Sequence, residues 1–427
     1  MSQNKKRKRS KHACKQDSKI PVIQLSLEES SYFDSPAVKE SLPSDLDGVN
    51  DDWVGPVTYF YGNSPRSFMQ YQVQTLFDEL NEIKSNLLPY SVIVSDLKNN
   101  VGIRTSPEGE FKRASRNIQS NPYENLYFTF DENPLVSRSA LKLCNIDALT
   151  GFSLKNGENR TFVDLCGAPG GFSQYLRYRN YRKGFGMSLQ GKCEEGMGLK
   201  WNSSALNSPH FAIYHGADGT GDIYNWDNIL SLQAFIQNDL GFNQVDLVVA
   251  DGGIDAQRNV YSQETVAHKL VVSQVAAALL LLKPRGIFII KTFGFLTEGS
   301  KAMMDSISKL FGNFCILKPI TSRPASAERY LFCTDFKGLP KDFDVFQWRS
   351  EIIECKKHNA TPQLRQFLDE NDMKMLILNM AACKKVINIL HNEEDSLRNS
   401  KRRKRVKHAD NDTIVQYYKK KWHVGNE

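Results

Sequence analysis

Between about Asn121 and Lys341 the chain alternates short apolar runs with longer amphipathic ones. The runs FVDLC (162–166), GFGMSL (184–189), FAIYHG (211–216), VDLVVAD (245–251), GIFIIKTF (286–293), FCILKP (314–319) and RYLFCTD (329–335) have the length and residue types of strands. Between the fourth and fifth lies SQETVAHKLVVSQVAAALLLLKPRG, which reads as a helix closed by Pro284 and Gly286. Strands alternating with helices predict an α/β domain, a mostly parallel seven-stranded sheet with helices on both faces.

The flanks carry other patterns. Residues 1–52 are polar, with a basic cluster followed by SLEESSYFDSPAVKESLPSDLDGVNDD, and read as a disordered tail. In 53–111 the segment SFMQYQVQTLFDELNEIKSNLL has helical spacing of Phe68, Val73, Leu76, Phe77, Leu80 and Ile83, which predicts a helical lead-in. The α/β domain is expected over 112–341. Residues 342–398, with TPQLRQFLDENDMKMLILNMAACKKVINIL, predict a helical C-terminal extension, and 399–427 form a basic tail.

Charge changes the picture. Residues 5–12 (KKRKRSKH) and 401–408 (KRRKRVKH) hold six Lys or Arg each, and subtracting those twelve from a formal net charge of +7 leaves −5 for the rest. The basic character is concentrated near the ends, as nuclear import signals or nucleic-acid contacts would have it, and the nucleus is the expected location. The longest apolar stretch, Val275 to Leu282, is far short of the ~20 residues of a membrane helix, so no membrane association is expected. The eight cysteines form no C-x-x-C pair and no metal-ligand spacing with histidine, which predicts neither a metal site nor a disulfide framework.

In open α/β sheets ligands bind beyond the carboxyl ends of the strands. The first strand delivers Gly167-Ala168-Pro169-Gly170-Gly171, the fourth delivers Asp251-Gly252-Gly253, and the fifth delivers Lys291. The glycine loop lacks the G-K-[ST] of a P-loop and the G-x-G-x-x-G of a dinucleotide site. Pro169 removes an amide donor, which suits a neutral or cationic ligand better than a pyrophosphate.

FVDLCGAPGGFSQYL resembles motif I of the FtsJ-like ribose 2′-O-methyltransferases. That family is marked by a Lys-Asp-Lys-Glu tetrad, with matching context here at Lys142 (SRSALKLCNID), Asp251 (LVVADGG), Lys291 (FIIKTF) and Glu328 (KPITSRPASAERYLFC). The resemblance spans roughly residues 112–335. NPYE (121–124), FGMSL (185–189), GDI (221–223), ADGG (250–253) and KPITSRPASAERY (318–330) resemble the eukaryotic cap-specific mRNA branch. Ribosomal and transfer RNA enzymes usually follow the catalytic aspartate with a D-M-A-P-like sequence, whereas this chain has Asp251-Gly252-Gly253-Ile254.

The resemblance implies a Rossmann-like S-adenosylmethionine-dependent methyltransferase fold, with S-adenosyl-L-methionine as cofactor and m7G-capped mRNA as substrate. The product would be cap 1, methylated on the ribose 2′-oxygen of the first transcribed nucleotide. Transcription or capping machinery is a further expected partner. The glycine-rich module before the catalytic domain of the animal cap enzymes, and the domains after it, have no visible counterpart in the sequence.

The site residues follow from the same resemblance. Cys166, Gly167, Ala168, Pro169, Gly170, Gly171 and Phe172 would wrap the methionine and ribose part of the cofactor. Asp222 and Ile223 would lie beside the adenine, with Ser137 as a further contact, although Ser137 is also placed to be a helix N-cap. Tyr261, Ser262, Gln263 and Ser326 match substrate-touching positions. Lys112, Arg113 and Arg116, with Arg104, form a basic stretch suited to RNA phosphates.

Methyl transfer to a ribose hydroxyl needs the hydroxyl's proton taken, and Lys291 is the candidate base. A lysine normally titrates near about 10.4. Burial and Lys142 would lower that value, and Asp251 would raise it. Asp251 is also expected to align Lys291, and Glu328 to orient Lys142 or the ribose. Two rival readings stay open: the same chemistry on ribosomal, transfer or spliced-leader RNA, and a catalytically silent RNA-binding scaffold.

Overall fold

The computed structural model describes residues 58–60, 80, 87–100, 104–107, 110, 114, 135–193, 196–197, 200–254, 263–319, 321–323, 325–355, 360–398, 416, 419–420 and 422–424. Among them ten strands form: β1 (Thr58–Phe60), β2 (Thr161–Leu165), β3 (Lys183–Met187), β4 (Lys192–Cys193), β5 (Gly196–Met197), β6 (Phe211–Ile213), β7 (Val245–Ala250), β8 (Leu282–Thr292), β9 (Phe311–Leu317) and β10 (Arg329–Phe336). β4 and β5 pair with each other, and the other eight form one sheet in the order β1-β9-β10-β8-β7-β2-β3-β6.

All seven predicted strands are in that sheet. Neighbours from β6 through β3, β2 and β7 to β8 run parallel, and β10 runs antiparallel to both β8 and β9. The eighth strand, β1, lies in the segment expected to be purely helical. It pairs antiparallel with β9, Thr58 opposite Leu317. Three residues are too few for a period-2 pattern to register, so the edge of β9 defines this strand. The helix Leu87–Asn100 also falls in the lead-in, whereas residues 67–79 of the predicted amphipathic stretch lie outside the described residues.

Alternation along the strands builds two cores. β2 sends Val163 and Leu165 to one face and Phe162 to the other. In β7, Val248 and Ala250 face the first core while Leu247 and Val249 face the second, as a pleat of period two requires. The helix Gln263–Leu281 fills the first core. It is apolar nearly all round, and although its length and composition alone would let it cross a membrane, 67% of its most apolar stretch is buried. It ends at Leu281, and β8 starts four residues earlier than Gly286. The stretch 283–286 is taken up by an irregularity, with Arg285 at φ 68° and a register shift against Val245 and Leu247.

The C-terminal extension forms the helices Val345–Ile353 and Pro362–Arg398. The longer one lays Met373, Leu376, Met380, Cys383, Val386 and Leu390 against Leu80, Val94 and Ala114, and Leu296 and Ala325 pack on the same cluster. Further along its buried side, Asn371 and Asp372 both accept from Nη1 of Arg329, Asp372 Oδ1 at 2.7 Å. The backbone N–H of Phe295 donates to the same Asp372 carboxylate. Lys301 Nζ meets Asp369 at 2.9 Å, and Arg365 takes Glu298 with two nitrogens.

Removing one partner of a buried ion pair leaves the other charge stranded. Asp372→Ala is therefore expected to lower unfolding free energy by about 3–5 kcal/mol, read from urea denaturation. A loss below about 1 kcal/mol would mean that the pair behaves as a solvent-exposed one.

Candidate active site

β2 ends on a turn that few other residues could make. Cys166 has a left-handed backbone, φ 54°, and Gly170 closes the turn at φ 106° by donating to the carbonyl of Gly167. A Cβ on Gly167 would fall 2.1 Å from Asp164 Oδ1, and one on Gly171 would meet Ser139 Oγ at 2.1 Å and Ser137 Oγ at 2.3 Å. The loop is thus pressed onto its own strand, with the helix Gly171–Tyr178 starting behind it. Asp164 holds that helix start by accepting from the N–H and hydroxyl of Ser173. Burial pushes its carboxyl up to about 7.

Around this loop the structure gathers most of the expected cofactor residues. The carbonyl of Ser188, just after β3, lies 2.0 Å from where a Cβ on Gly221 would stand, so Asp222 and Ile223 follow directly at the end of β3. Asp222 accepts from the N–H of Tyr224 and sits near enough to Cys166 to push the thiol upward, after burial and Asp164. Ile223 is buried in the first core. Phe172 is also fully buried and packs near Tyr330, ring centroids 6.1 Å apart, so its backbone rather than its ring borders the loop. Ser137 is not an N-cap: Arg138 occupies that position of the helix Ser139–Leu149, no side chain caps it, and Ser137 Oγ pairs with Ser139 Oγ.

β7 ends beside β2. A Cβ on Gly252 would stand 2.9 Å from Cys166 Cβ, and one on Gly253 would stand 3.0 Å from Lys291 Nζ. Asp164, Asp222 and Asp251 thus border one stretch of sheet edge. A tight backbone loop with the Asp251 carboxylate at its side fits a sulfonium-bearing cofactor, whose charge that carboxylate matches.

The four tetrad residues meet at this edge. Lys142 Nζ lies 2.8 Å from Glu328 Oε1 and donates to Oε2 at 2.9 Å. Lys291 Nζ lies 3.1 Å from Asp251 Oδ1, donates to the Asp251 carbonyl at 2.7 Å, and stands 4.0 Å from Glu328 Oε2. Asp251 and Lys291 stand at the ends of the parallel strands β7 and β8 and Lys142 on the helix Ser139–Leu149, whereas Glu328 precedes β10. Because β10 runs backwards, its start lies at the same edge as the ends of β7 and β8.

Burial is the largest single influence on Lys291 and pushes its ammonium down. Asp251 and Glu328 together outweigh it, so the net shift is upward. The resting lysine is an ammonium, not the neutral amine that a base must become, because the two carboxylates outweigh burial, and Lys142, expected to lower it, is paired with Glu328 instead. For Glu328 burial pushes up, but Lys142, Lys291 and Lys318 more than offset it and hold the carboxyl well below its usual range.

Of the expected substrate contacts, Gln263 opens the helix Gln263–Leu281, its side-chain carbonyl buried and without a hydrogen-bond partner among the described residues. Ser326 turns its hydroxyl to the N–H of Glu328. Lys112, Arg113, Arg116, Tyr261 and Ser262 lie outside the described residues, and Arg104 is exposed. Tyr330 went unnoticed in the sequence: its hydroxyl donates to Asp251 Oδ1 at 2.7 Å and its ring lies 5.9 Å from Lys142 Nζ. Its signal was register, since Tyr330 pairs opposite Lys291.

Residues 135–336 match the family model of the FtsJ-like methyltransferases. Cap-specific mRNA (nucleoside-2′-O-)-methyltransferase 1 of Homo sapiens is 33% identical over 257 residues, covering 56% of this chain and 29% of that protein. The protein of that name from Leishmania braziliensis is 38% identical over 201 residues, covering 45% of this chain and 48% of its own. The chain thus spans less than half the length of these relatives. A solved structure of a ribosomal RNA methyltransferase from Plasmodium falciparum shares 21% identity over 48% of this chain, with a TM-score of 0.35. With motif, tetrad and family model falling on one stretch, residues 135–336 constitute an FtsJ-like, S-adenosylmethionine-dependent methyltransferase domain.

Proposed function

We propose that the protein methylates the ribose 2′-oxygen of the first transcribed nucleotide of m7G-capped RNA. The observation that carries this reading is the convergence of Lys142, Asp251, Lys291 and Glu328, from four separate segments, at the end of the glycine loop. The names of the relatives in frog, human and Leishmania support the cap as the substrate class. The basic clusters at 5–12 and 401–408 support a nuclear enzyme.

S-adenosylmethionine, when bound, supplies a methyl group on a sulfonium. The Cys166–Phe172 turn and Asp222 would hold it, with Asp251 nearest the positive charge. Lys291 has two donor contacts on Asp251 and stands beyond hydrogen-bond reach of Glu328, so one side of its nitrogen is available to a hydroxyl. To act as base, the Lys291 ammonium first releases its proton to solvent, and the neutral amine then accepts the proton of the ribose hydroxyl. Glu328 keeps Lys142 in place beside it, and Tyr330 fixes the Asp251 carboxylate.

A methyl-transfer assay on m7G-capped, G-capped and 5′-triphosphate RNA of one sequence is expected to give product on the capped RNA, mapped to the first nucleotide. Equal transfer to the triphosphate RNA would point to a ribosomal, transfer or spliced-leader substrate instead. Lys291→Arg, which keeps the charge but cannot lose it, is expected to cut single-turnover transfer by about 10²–10⁴-fold. Full activity in that variant removes the base role. Because the Lys291 pKa is raised, its neutral fraction grows as pH increases. The wild-type single-turnover rate should therefore rise with pH, close to tenfold per unit in the limit where only Lys291 titrates. A plateau already reached at pH 6 would show the resting lysine to be neutral.

A further inference from the structure

Lys318 belongs to the KPITSRPASAERY stretch but not to the tetrad, and its surroundings are unlike those of an ordinary lysine. It follows the end of β9 and is 3% exposed. Its ammonium donates to Ser322 Oγ at 3.1 Å, the Ser326 carbonyl at 2.7 Å and the Glu328 carbonyl at 2.6 Å. An ammonium has three protons, and here all three are used. All three acceptors are neutral and lie on the segment joining β9 to β10. The segment is therefore gathered around one nitrogen.

We propose that Lys318 is a positioning residue for methyl transfer: it ties Ser322, Ser326 and Glu328 together so that Glu328 meets Lys142 and Lys291 at the cleft. The proposal rests on the methyltransferase reading of the tetrad and names a residue outside it that the reaction needs.

The argument is one of geometry and cost. Glu328 O is held by Lys318 on one side of its backbone, while its carboxylate reaches Lys142 on the other. The next residue, Arg329, is anchored by Asn371 and Asp372. The peptide carrying Glu328 is thus fixed at both ends. Glu328 Oε2 already stands 4.0 Å from Lys291, so a small drift of the backbone breaks the link between the two halves of the tetrad. Burying an ammonium among neutral acceptors is unfavourable, and burial pushes Lys318 down to about 7, more than Glu328 offsets. An apolar side chain of similar length would fill the space but leave the Ser326 and Glu328 carbonyls without a donor. An ammonium also adds a third positive charge beside Glu328 and helps to keep that carboxylate ionised.

The test compares wild type, Lys318→Met and Ser322→Ala by single-turnover methyl transfer, cofactor affinity, thermal melting and crystal structure. Lys318→Met, which leaves the Ser326 and Glu328 carbonyls without their donor, is expected to melt below wild type and to bind S-adenosylmethionine within about twofold of wild type, while transfer falls by about 10- to 100-fold. Its crystal structure is expected to show Glu328 displaced from Lys142. Ser322→Ala, which removes one of three acceptors, is expected to lose about two- to tenfold. If Lys318→Met does not fold, Ser322→Ala decides, by rate and by Glu328 position. Transfer within about twofold of wild type in the variants, or Glu328 still on Lys142, overturns the proposal. Absence of transfer by the wild type would instead remove the proposed function, and the position of Glu328 in the variants would still decide the role of Lys318.

Discussion

A carboxylate can stay ionised in a corner largely closed to water only where cations meet it there. Glu328 has three: Lys142 in direct contact, Lys291 at 4.0 Å and Lys318 behind it. The domain delivers those cations from three places, the helix Ser139–Leu149, the end of β8 and the end of β9. That delivery works because β10 is reversed. In an all-parallel sheet a residue preceding a strand would stand at the opposite edge from residues that follow one. Reversal puts the start of β10 beside the ends of β7 and β8, and Glu328 and Tyr330 can then touch Lys142 and Asp251.

The same neutralisation limits the chemistry. Asp251 and Glu328 make burial of Lys291 tolerable, and in doing so they stabilise its proton. The protein's other carboxylates near Cys166 serve different ends: Asp164 is committed to Ser173 and Asp222 to the turn at Tyr224. Orientation and charge are thus divided among residues that share one sheet edge.

The C-terminal helix is part of this construction. Its apolar stripe packs on the helix Leu87–Asn100, while Asp372 reaches Arg329 beside Glu328 and the N–H of Phe295 beyond Lys291. Leu296 and Ala325, from the two loops next to the tetrad, rest against the same helix. A segment outside the stretch that matches the family model therefore supports the chain just after Lys291 and just before Glu328.

Sequence pattern alone marked the seven strands it predicted, because the apolar runs of β2, β7 and β8 have no alternative to burial on both faces. It also determined the glycine turn, since no other residue fits where Gly167 lies on Asp164 or Gly171 on Ser139. Four short contexts marked the tetrad through their resemblance to a family. Tertiary structure alone decided the rest. The strand Thr58–Phe60 exists only against the edge of β9, and the irregular start of β8 only against β7. The pairing of Lys142 with Glu328, the hydroxyl of Tyr330 on Asp251 and the upward shift of Lys291 depend on distances between residues up to 186 positions apart. Local patterns carry propensity and period; a charge's behaviour is set by its neighbours in space, which only the folded chain supplies.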